Sequence, residues 1–593
     1  MFRSALYSII LFCILNSYTN AHIARVVTKI GEIIGTNVKL SAGGVPYSVN
    51  QYLGIHYAKP PIGELRFRKP EAYGELNSPY HASDYGYICP QIYNPMEPVF
   101  GTEDEDCLHL NVFVPDQNAD LDKGHAVMVW IHGGAFVLGS PEEFDPKTLC
   151  SVGNVIIVTF NYRLGPLGFL STNDSNMVSN LGLWDQHLAL QWVRDNIESF
   201  GGDKNRITIF GESSGAASSI IQGMFAGNVG LFHRIIAESG SPSMRPMNCS
   251  RNARDQVISI ANRLNCAADD TAKIIECLKT KSWREYMAVA NDMAANFDNL
   301  DNVFYDPVVD GEFIKQDPRD ISKLAKTEKN KELDNFRSFD FLAGMNAYEG
   351  ACYVPYFIGT DSPEDFAPTP ADMGNLILAV TGMVYNRMFS KPVMRFIEHE
   401  YTDWSNPSNF HNIRMQFMRL FGDTGVAVPV VEFGRLHSTS KETKSYMYKF
   451  MPAPTNRRMA TPSWTPGADH GEETNYIFGV EDKPNITGWE IQLSKKMMEY
   501  WTNFAKTGNP NSPLKIDPEW PEYDLDTQKY MTLDKTMDDS SVQQFLYARE
   551  YEFWNELFPK MAETFNEIEE ETVPEEMPCS EEEHTHEHVH DDL

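Results

Sequence analysis

The sequence predicts an α/β fold: a large, mainly parallel central sheet flanked by helices. Three observations carry this expectation. Short, nearly continuous apolar runs fit strands buried on both faces, as in parallel sheets. A helix-period apolar pattern stands between such runs. Strand and helix patterns then alternate along the chain.

The elements follow in order. Residues 126–131 (AVMVWI) form one apolar run, ending at His132-Gly133-Gly134. Residues 155–160 (VIIVTF) form a second. In LGLWDQHLALQWVRDNI, Trp184, Leu188 and Trp192 recur every four residues, which predicts one apolar helix face. Residues 206–210 (RITIF) read as a strand, and a helix is expected from Ala216. A later strand, 339–345 (FDFLAGM), runs just ahead of Glu349.

The chain has 593 residues, 42% of them hydrophobic, enough for a large core. It opens with Arg3, an apolar stretch 5–15 and small residues at 19–21. That is a signal-peptide pattern, too short to span a bilayer comfortably. The expected organisation is a signal peptide at 1–21, one domain at 22–560 and an acidic tail at 561–593. The secretory route permits disulfides. Cys13 leaves with the signal, and eight cysteines remain: Cys89, Cys107, Cys150, Cys249, Cys266, Cys277, Cys352 and Cys579. Spacing alone does not pair them. Asn173, Asn248 and Asn485 head N-x-S/T triplets, candidate glycosylation sites in that compartment.

The net charge of −32 is unevenly spread. The tail 561–593 holds thirteen Asp and Glu and no Lys or Arg, which leaves about −19 on the rest. Such a tail is expected to be solvated and disordered. An acidic body argues against nucleic acid as a partner, since phosphate binding needs clustered Lys and Arg.

Gly211-Glu212-Ser213-Ser214-Gly215 matches G-x-S-x-G. The bare pattern is weak, since ordinary glycine content produces it by chance in roughly a fifth of chains this long. Here it sits between an expected strand and an expected helix, where a sharp turn projects the serine hydroxyl. That is the nucleophile elbow of α/β-hydrolases. A serine hydroxyl needs a base to take its proton and donors for the oxyanion that forms. Gly133 and Gly134, with the amide of Ser214, are the candidate oxyanion hole.

With these pieces in place the sequence resembles the type-B carboxylesterase and cholinesterase family over about 31–559. The matching segments lie in order: YLGIHYAKPPIGELRFRKP, EDCLHLNVFVP, VMVWIHGGAF, NYRLGPLGFL, ITIFGESSGAAS, DPVVDGEF, GMNAYEGACY, GADHGEETNYIFG and FAKTGNPN. The resemblance implies an α/β-hydrolase fold and a triad of Ser213, Glu349 (in GMNAYEG) and His470 (in DHGEE). The order Ser, Glu, His also fits such folds. The residues alone do not select His470 from sixteen histidines, and Asp469 beside it offers a rival acid. Glu212 would tune the local field or serve structure. The resemblance also implies disulfides Cys89–Cys107 and Cys266–Cys277, and ion pairs Arg68–Glu105 and Arg163–Asp185. No metal or organic cofactor is implied, and the expected partner is a small ester substrate.

The departures bear on substrate. Cholinesterases carry a tryptophan in the first disulfide loop, which holds a quaternary ammonium by cation–π attraction; the loop 89–107 is shorter and has no Trp. Asp301 and Val303 stand where acyl-pocket aromatics are expected, which implies a roomier pocket. A third family disulfide is missing from both GDTGVAVP and REYEFW, which leaves Cys150, Cys249 and Cys352 unassigned. Ser214 replaces the usual Ala after the nucleophile, with little effect expected. The C-terminal HDDL loosely resembles ER-retrieval tetrapeptides, so secretion and ER retention both stand. His584, His586, His588 and His590 alternate, a pattern that can hold a divalent metal weakly but is ordinarily a solvated tail. Cys579 offers a link to a second chain, hence a homodimer. Two other functions remain beside a general carboxylesterase: a true cholinesterase, and a non-catalytic adhesion protein on the same fold, like neuroligins.

Overall fold

The computed structural model describes residues 22–42, 45–93, 100–117, 123–244, 253–295, 305–324, 329–354, 363–385, 389–459 and 461–572. The signal segment, the tail beyond Thr572 with Cys579 and its histidines, Asn248, Cys249, Asp301 and Val303 lie outside the described residues, whereas the first part of the expected disordered tail continues a helix, Phe558–Thr572.

One mixed sheet organises the chain. Its strands are β1 (His22–Thr28), β2 (Gly31–Ala42), β3 (Val45–His56), β4 (Tyr80–His81), β5 (His109–Pro115), β6 (His125–Ile131), β7 (Ile156–Phe160), β8 (Gly202–Glu212), β9 (Arg234–Glu238), β10 (Asp340–Asn346), β11 (Ser445–Phe450), β12 (Lys529–Leu533) and β13 (Val542–Gln544). The order is β1-β2-β3-β5-β7-β6-β8-β9-β10-β11-β12-β13, with β4 paired to β2. Pairings from β7 through β12 are parallel, and the margins of that order are antiparallel, with short β4 joined to β2 in parallel. The expected parallel sheet is therefore its centre.

The apolar runs are continuous because both faces of the central strands are covered. In β6, Val127, Val129 and Ile131 join one hydrophobic cluster, while Ala126, Met128 and Trp130 join another. Alternate residues point to opposite faces, so every position must be apolar. Helices α1 (Leu181–Asn196) and α2 (Ser214–Met224) pack into the first cluster. Helices α3 (Glu473–Phe478) and α4 (Gly488–Thr507) pack into the second, through Ile477, Met497, Trp501 and Phe504. A third cluster is helical, joining Ile377, Val393, Phe417 and Phe558.

Two expectations need correction. Trp192 is buried as expected, but Trp184 and Leu188 are half-buried, and the least exposed positions of α1 include Leu181, Leu183, Asp185, Gln186, Ala189 and Val193. The helix is covered on two sides: Trp184 meets Phe225 and Phe313 edge-on, and the Lys69 ammonium lies 3.8 Å from its ring centroid. The second correction concerns an ion pair. Glu105 is held by Arg66, whose Nε donates to Oε1 at 2.7 Å, and not by Arg68. Arg68 instead lies near Glu64, and its carbonyl accepts from Arg163. Two registers were open in the RFRKP segment, and only Arg66 is buried. The Arg163–Asp185 pair is present as expected, doubly bonded at 2.7 Å.

Both expected disulfides are formed, Cys89–Cys107 and Cys266–Cys277. Cys150 and Cys352 are buried and belong to neither bridge. Where the third family disulfide is missing, a hydrogen-bonded chain joins the two segments. Trp554 Nε1 donates to Tyr401 Oη at 2.8 Å, and Tyr401 donates to Asp423 Oδ2 at 3.0 Å.

Candidate active site

The site is built where β8 turns into α2. Ser213 sits at that turn with φ 57° and ψ −122°, a left-handed backbone that a non-glycine residue rarely adopts. Close packing forces the turn. A Cβ on Gly215 would lie 2.0 Å from the Ile131 carbonyl oxygen, and one on Gly211 would lie 2.4 Å from it. Glycine at both positions lets the elbow press against the end of β6. Ser213 is 9% exposed.

The loop after β6 meets the elbow from the other side. A Cβ on Gly133 would come within 3.2 Å of Ser213 Cβ, so this backbone passes directly beside the serine. Gly134 has φ +99°, a conformation that favours glycine. Among the described residues the amides of Gly133 and Gly134 donate to no group. Ser214, at the first turn of α2, has an amide with no partner inside the helix. Its hydroxyl does more than was expected of it, accepting the Phe136 amide at 3.4 Å and so linking the glycine loop to the elbow.

Glu349 follows β10 and His470 precedes α3. Glu349 Oε2 lies 2.6 Å from His470 Nδ1, with both side chains buried. Asp469, the rival acid, does not face the ring. Its carboxylate accepts the His470 amide at 2.8 Å and the Thr461 hydroxyl at 2.7 Å. Glu212 lies on the opposite side of the imidazole, with Oε1 3.3 Å from Nε2. That contact is an ion-pair distance without hydrogen-bond alignment, and Nε2 has no hydrogen-bond partner among the described residues. Burial by itself pushes the imidazole pKa down. The charges of Glu349 and then Glu212 outweigh burial and hold it at about 9, with Arg458 opposing them.

Several further residues reach the site only through the fold. Ser239 Oγ lies 2.7 Å from Glu349 Oε1 and 2.8 Å from Glu473 Oε1. One hydroxyl proton cannot serve both carboxyls. Burial, then the neighbouring Glu349 charge, raises Glu473 to about 7. Glu473 can thus supply the second proton, donating to Ser239 while Ser239 donates to Glu349. Asn346 closes the network, its side-chain amide donating to Glu473 and its backbone amide to Glu349. Arg458 pairs with Glu212 at 3.1 Å and with Glu143 at 2.6 Å. Gly240 is a further close contact, where a Cβ would lie 2.1 Å from the Ser213 carbonyl oxygen. The sequence offers one signal for these residues: the acidic pair after His470-Gly471.

A cavity of about 210 Å³ opens beside Arg458, lined also by Glu143, Phe144, Arg457 and Lys483. No triad candidate lines it.

Comparison with known proteins fits this geometry. The carboxylesterase family profile matches residues 23–554. A bile salt-activated lipase of Rattus norvegicus is 34% identical over 567 residues, covering 92% of this chain and 87% of the relative. The Bos taurus bile salt-activated lipase is 32% identical over 556 residues, covering 91% and 88%. A cholinesterase of Mus musculus is 32% identical over 562 residues, covering 92% and 88%. The chain belongs to the carboxylesterase family.

Proposed function

We propose that this carboxylic ester hydrolase works through an acyl-enzyme on Ser213, within a single domain spanning 22–560. The observation that carries the reading is the buried 2.6 Å contact between His470 Nδ1 and Glu349 Oε2, set beside the strained elbow. In this reading Ser213 Oγ attacks the ester carbonyl as His470 Nε2 takes its proton. The oxyanion forms against the amides of Gly133, Gly134 and Ser214. His470 then protonates the leaving alcohol, and water activated by the same imidazole releases the acid. Glu349 fixes the tautomer with the proton on Nδ1 and stabilises the imidazolium. The unpartnered Nε2 is in keeping with this, since catalytic hydrogen bonds often tighten only once substrate is bound.

The substrates we infer are small to medium uncharged carboxylic esters. A cholinesterase is the second reading, favoured by the mouse relative at 32% identity. Two features weigh against it. The 89–107 loop has no Trp to hold a quaternary ammonium. Arg458 also partners Glu212, the carboxylate nearest the nucleophile, and so offsets its attraction for a cation. A purely adhesive role would leave a strained serine and a buried His–Glu pair without purpose.

The deciding assay compares a short-chain p-nitrophenyl ester with acetylthiocholine, using the parent chain and Ser213→Ala. Hydrolysis of the simple ester that vanishes in the variant supports the reading. A strong preference for the choline ester moves it to cholinesterase, and no Ser213-dependent turnover moves it to a binding protein. We also assign the chain to the secretory pathway, with Asn173 and Asn485, both exposed in turns, open to glycosylation. Among the described residues no helix is long and apolar enough to cross a membrane.

A further inference from the structure

His56, Asp106 and His109 converge on one point and share no residue with the active site. His56 ends β3 and His109 begins β5, and the two are direct partners in the antiparallel register. Their Nε2 atoms face each other at 2.9 Å. Asp106 Oδ1 lies 3.1 Å from His56 Nε2. All three donor atoms lie within 4.8 Å of one another.

The surroundings decide where the protons sit. The Tyr80 hydroxyl donates to the Gly54 carbonyl at 2.6 Å, so it accepts from His56 Nδ1 at 3.1 Å. His56 therefore carries a proton on Nδ1, and in the neutral ring the Nε2 lone pair points into the cluster. His109 Nδ1 has the carbonyls of Tyr87 and Cys107 nearby, though too loosely placed for a full hydrogen bond. With its proton on Nε2, His109 donates to the His56 Nε2 lone pair; with the proton on Nδ1 instead, the two Nε2 lone pairs face each other. In the second form two imidazole lone pairs and a carboxylate converge on one point, the arrangement that a bound cation would select.

We propose that His56, Asp106 and His109 form a binding site for a divalent transition metal, zinc being the first choice, with its fourth position open to solvent. Two imidazoles and one carboxylate are a donor set that zinc accepts. Zinc bonds of about 2.0–2.1 Å imply tetrahedral donor–donor edges near 3.3 Å. The observed 2.9 and 3.1 Å edges need only a few tenths of an ångström of opening, while the third edge, between His109 and Asp106, lies within 4.8 Å and closes by rotation of the part-exposed Asp106 side chain. The Asp106 side chain is 37% exposed, which gives the ion a way in. The frame is stiff: the disulfide at Cys107 anchors the segment between Asp106 and His109, and Tyr73 stacks on His56 with ring centroids 4.6 Å apart. The Tyr80 hydroxyl orients the His56 ring, the role that partners beyond the ligands commonly play.

The test uses the full chain, stripped with a chelator and dialysed against Zn²⁺. It is run in a background where His584, His586, His588 and His590 are each changed to Ala and Cys579 to Ser, so that the tail contributes no imidazole or thiolate ligand. The expected result is one zinc per chain. His56→Gln should weaken binding by more than roughly 100-fold, and Tyr80→Phe by roughly 10-fold. Ester hydrolysis retained by His56→Gln shows that the fold survives; if it does not, Asp106→Asn at its part-exposed position repeats the measurement. Absence of stoichiometric zinc in the tail-substituted chain would overturn the proposal. So would binding that ignores both substitutions.

Discussion

Replacing Glu212 by Gln keeps the shape of the side chain and removes one of the two charges that raise the His470 pKa. The structure sets the size of the effect. Unit charges 3.3 Å apart interact by roughly 5 kcal/mol at an effective dielectric constant of about 20. Arg458, 3.1 Å from the same carboxylate, shares in its field, so the net term is smaller. Half of the full value still corresponds to about 2 pKa units. The direction is firm, because Arg458 remains to oppose imidazole protonation. In the parent chain the imidazole is about 9 and mostly protonated at neutral pH, so kcat/KM should climb with pH toward that value. In Glu212→Gln the rise should move down by about 2 units. The high-pH plateau should fall, because the same charge stabilises the imidazolium formed in the transition state. A p-nitrophenyl ester assayed from pH 5 to 10 reads both. An unmoved or upward-shifted rise would refute the electrostatic account of the site.

Other outcomes follow from the same geometry. Ser239→Ala leaves Glu349 Oε1 with only a backbone donor, and kcat should fall roughly 10-fold with KM little changed, while Ser239→Thr recovers part of it. Burial raises Asp423 to about 7, so the stability it contributes is full below its unfolded value and is lost as pH rises through about 7. Asp423→Asn, which mimics the protonated form, should therefore gain in Tm relative to the parent between pH 5 and pH 8. Cys277→Ser opens an 11-residue loop and should cost about 3 kcal/mol in denaturant unfolding.

Much of this was legible in the chain, for identifiable reasons. The strand runs 126–131 and 155–160 are readable because burial on both faces demands unbroken apolar residues. The elbow is readable because Gly211 and Gly215 are required by contact with the Ile131 carbonyl. His470 was reached only by resemblance, since no local pattern marks a histidine whose partner lies 121 residues away. Ser239, Asn346 and Arg458 were illegible for the same reason: each acts through neighbours that only the fold brings close. Spacing does not separate Arg66 from Arg68 as the partner of Glu105, because an ion pair between distant residues leaves its register open by one or two positions. Trp184 was legible as apolar but not as a residue covered from a second side by Phe225 and Phe313.

In the proposed mechanism Ser213 carries the acyl group. A slowly deacylating ester, followed by mass spectrometry of the digested chain, tests this most directly. One acyl group per chain is expected on the peptide holding Ser213, absent in Ser213→Ala and formed far more slowly in His470→Ala. Acylation that persists in Ser213→Ala, or that maps to another residue, would contradict it.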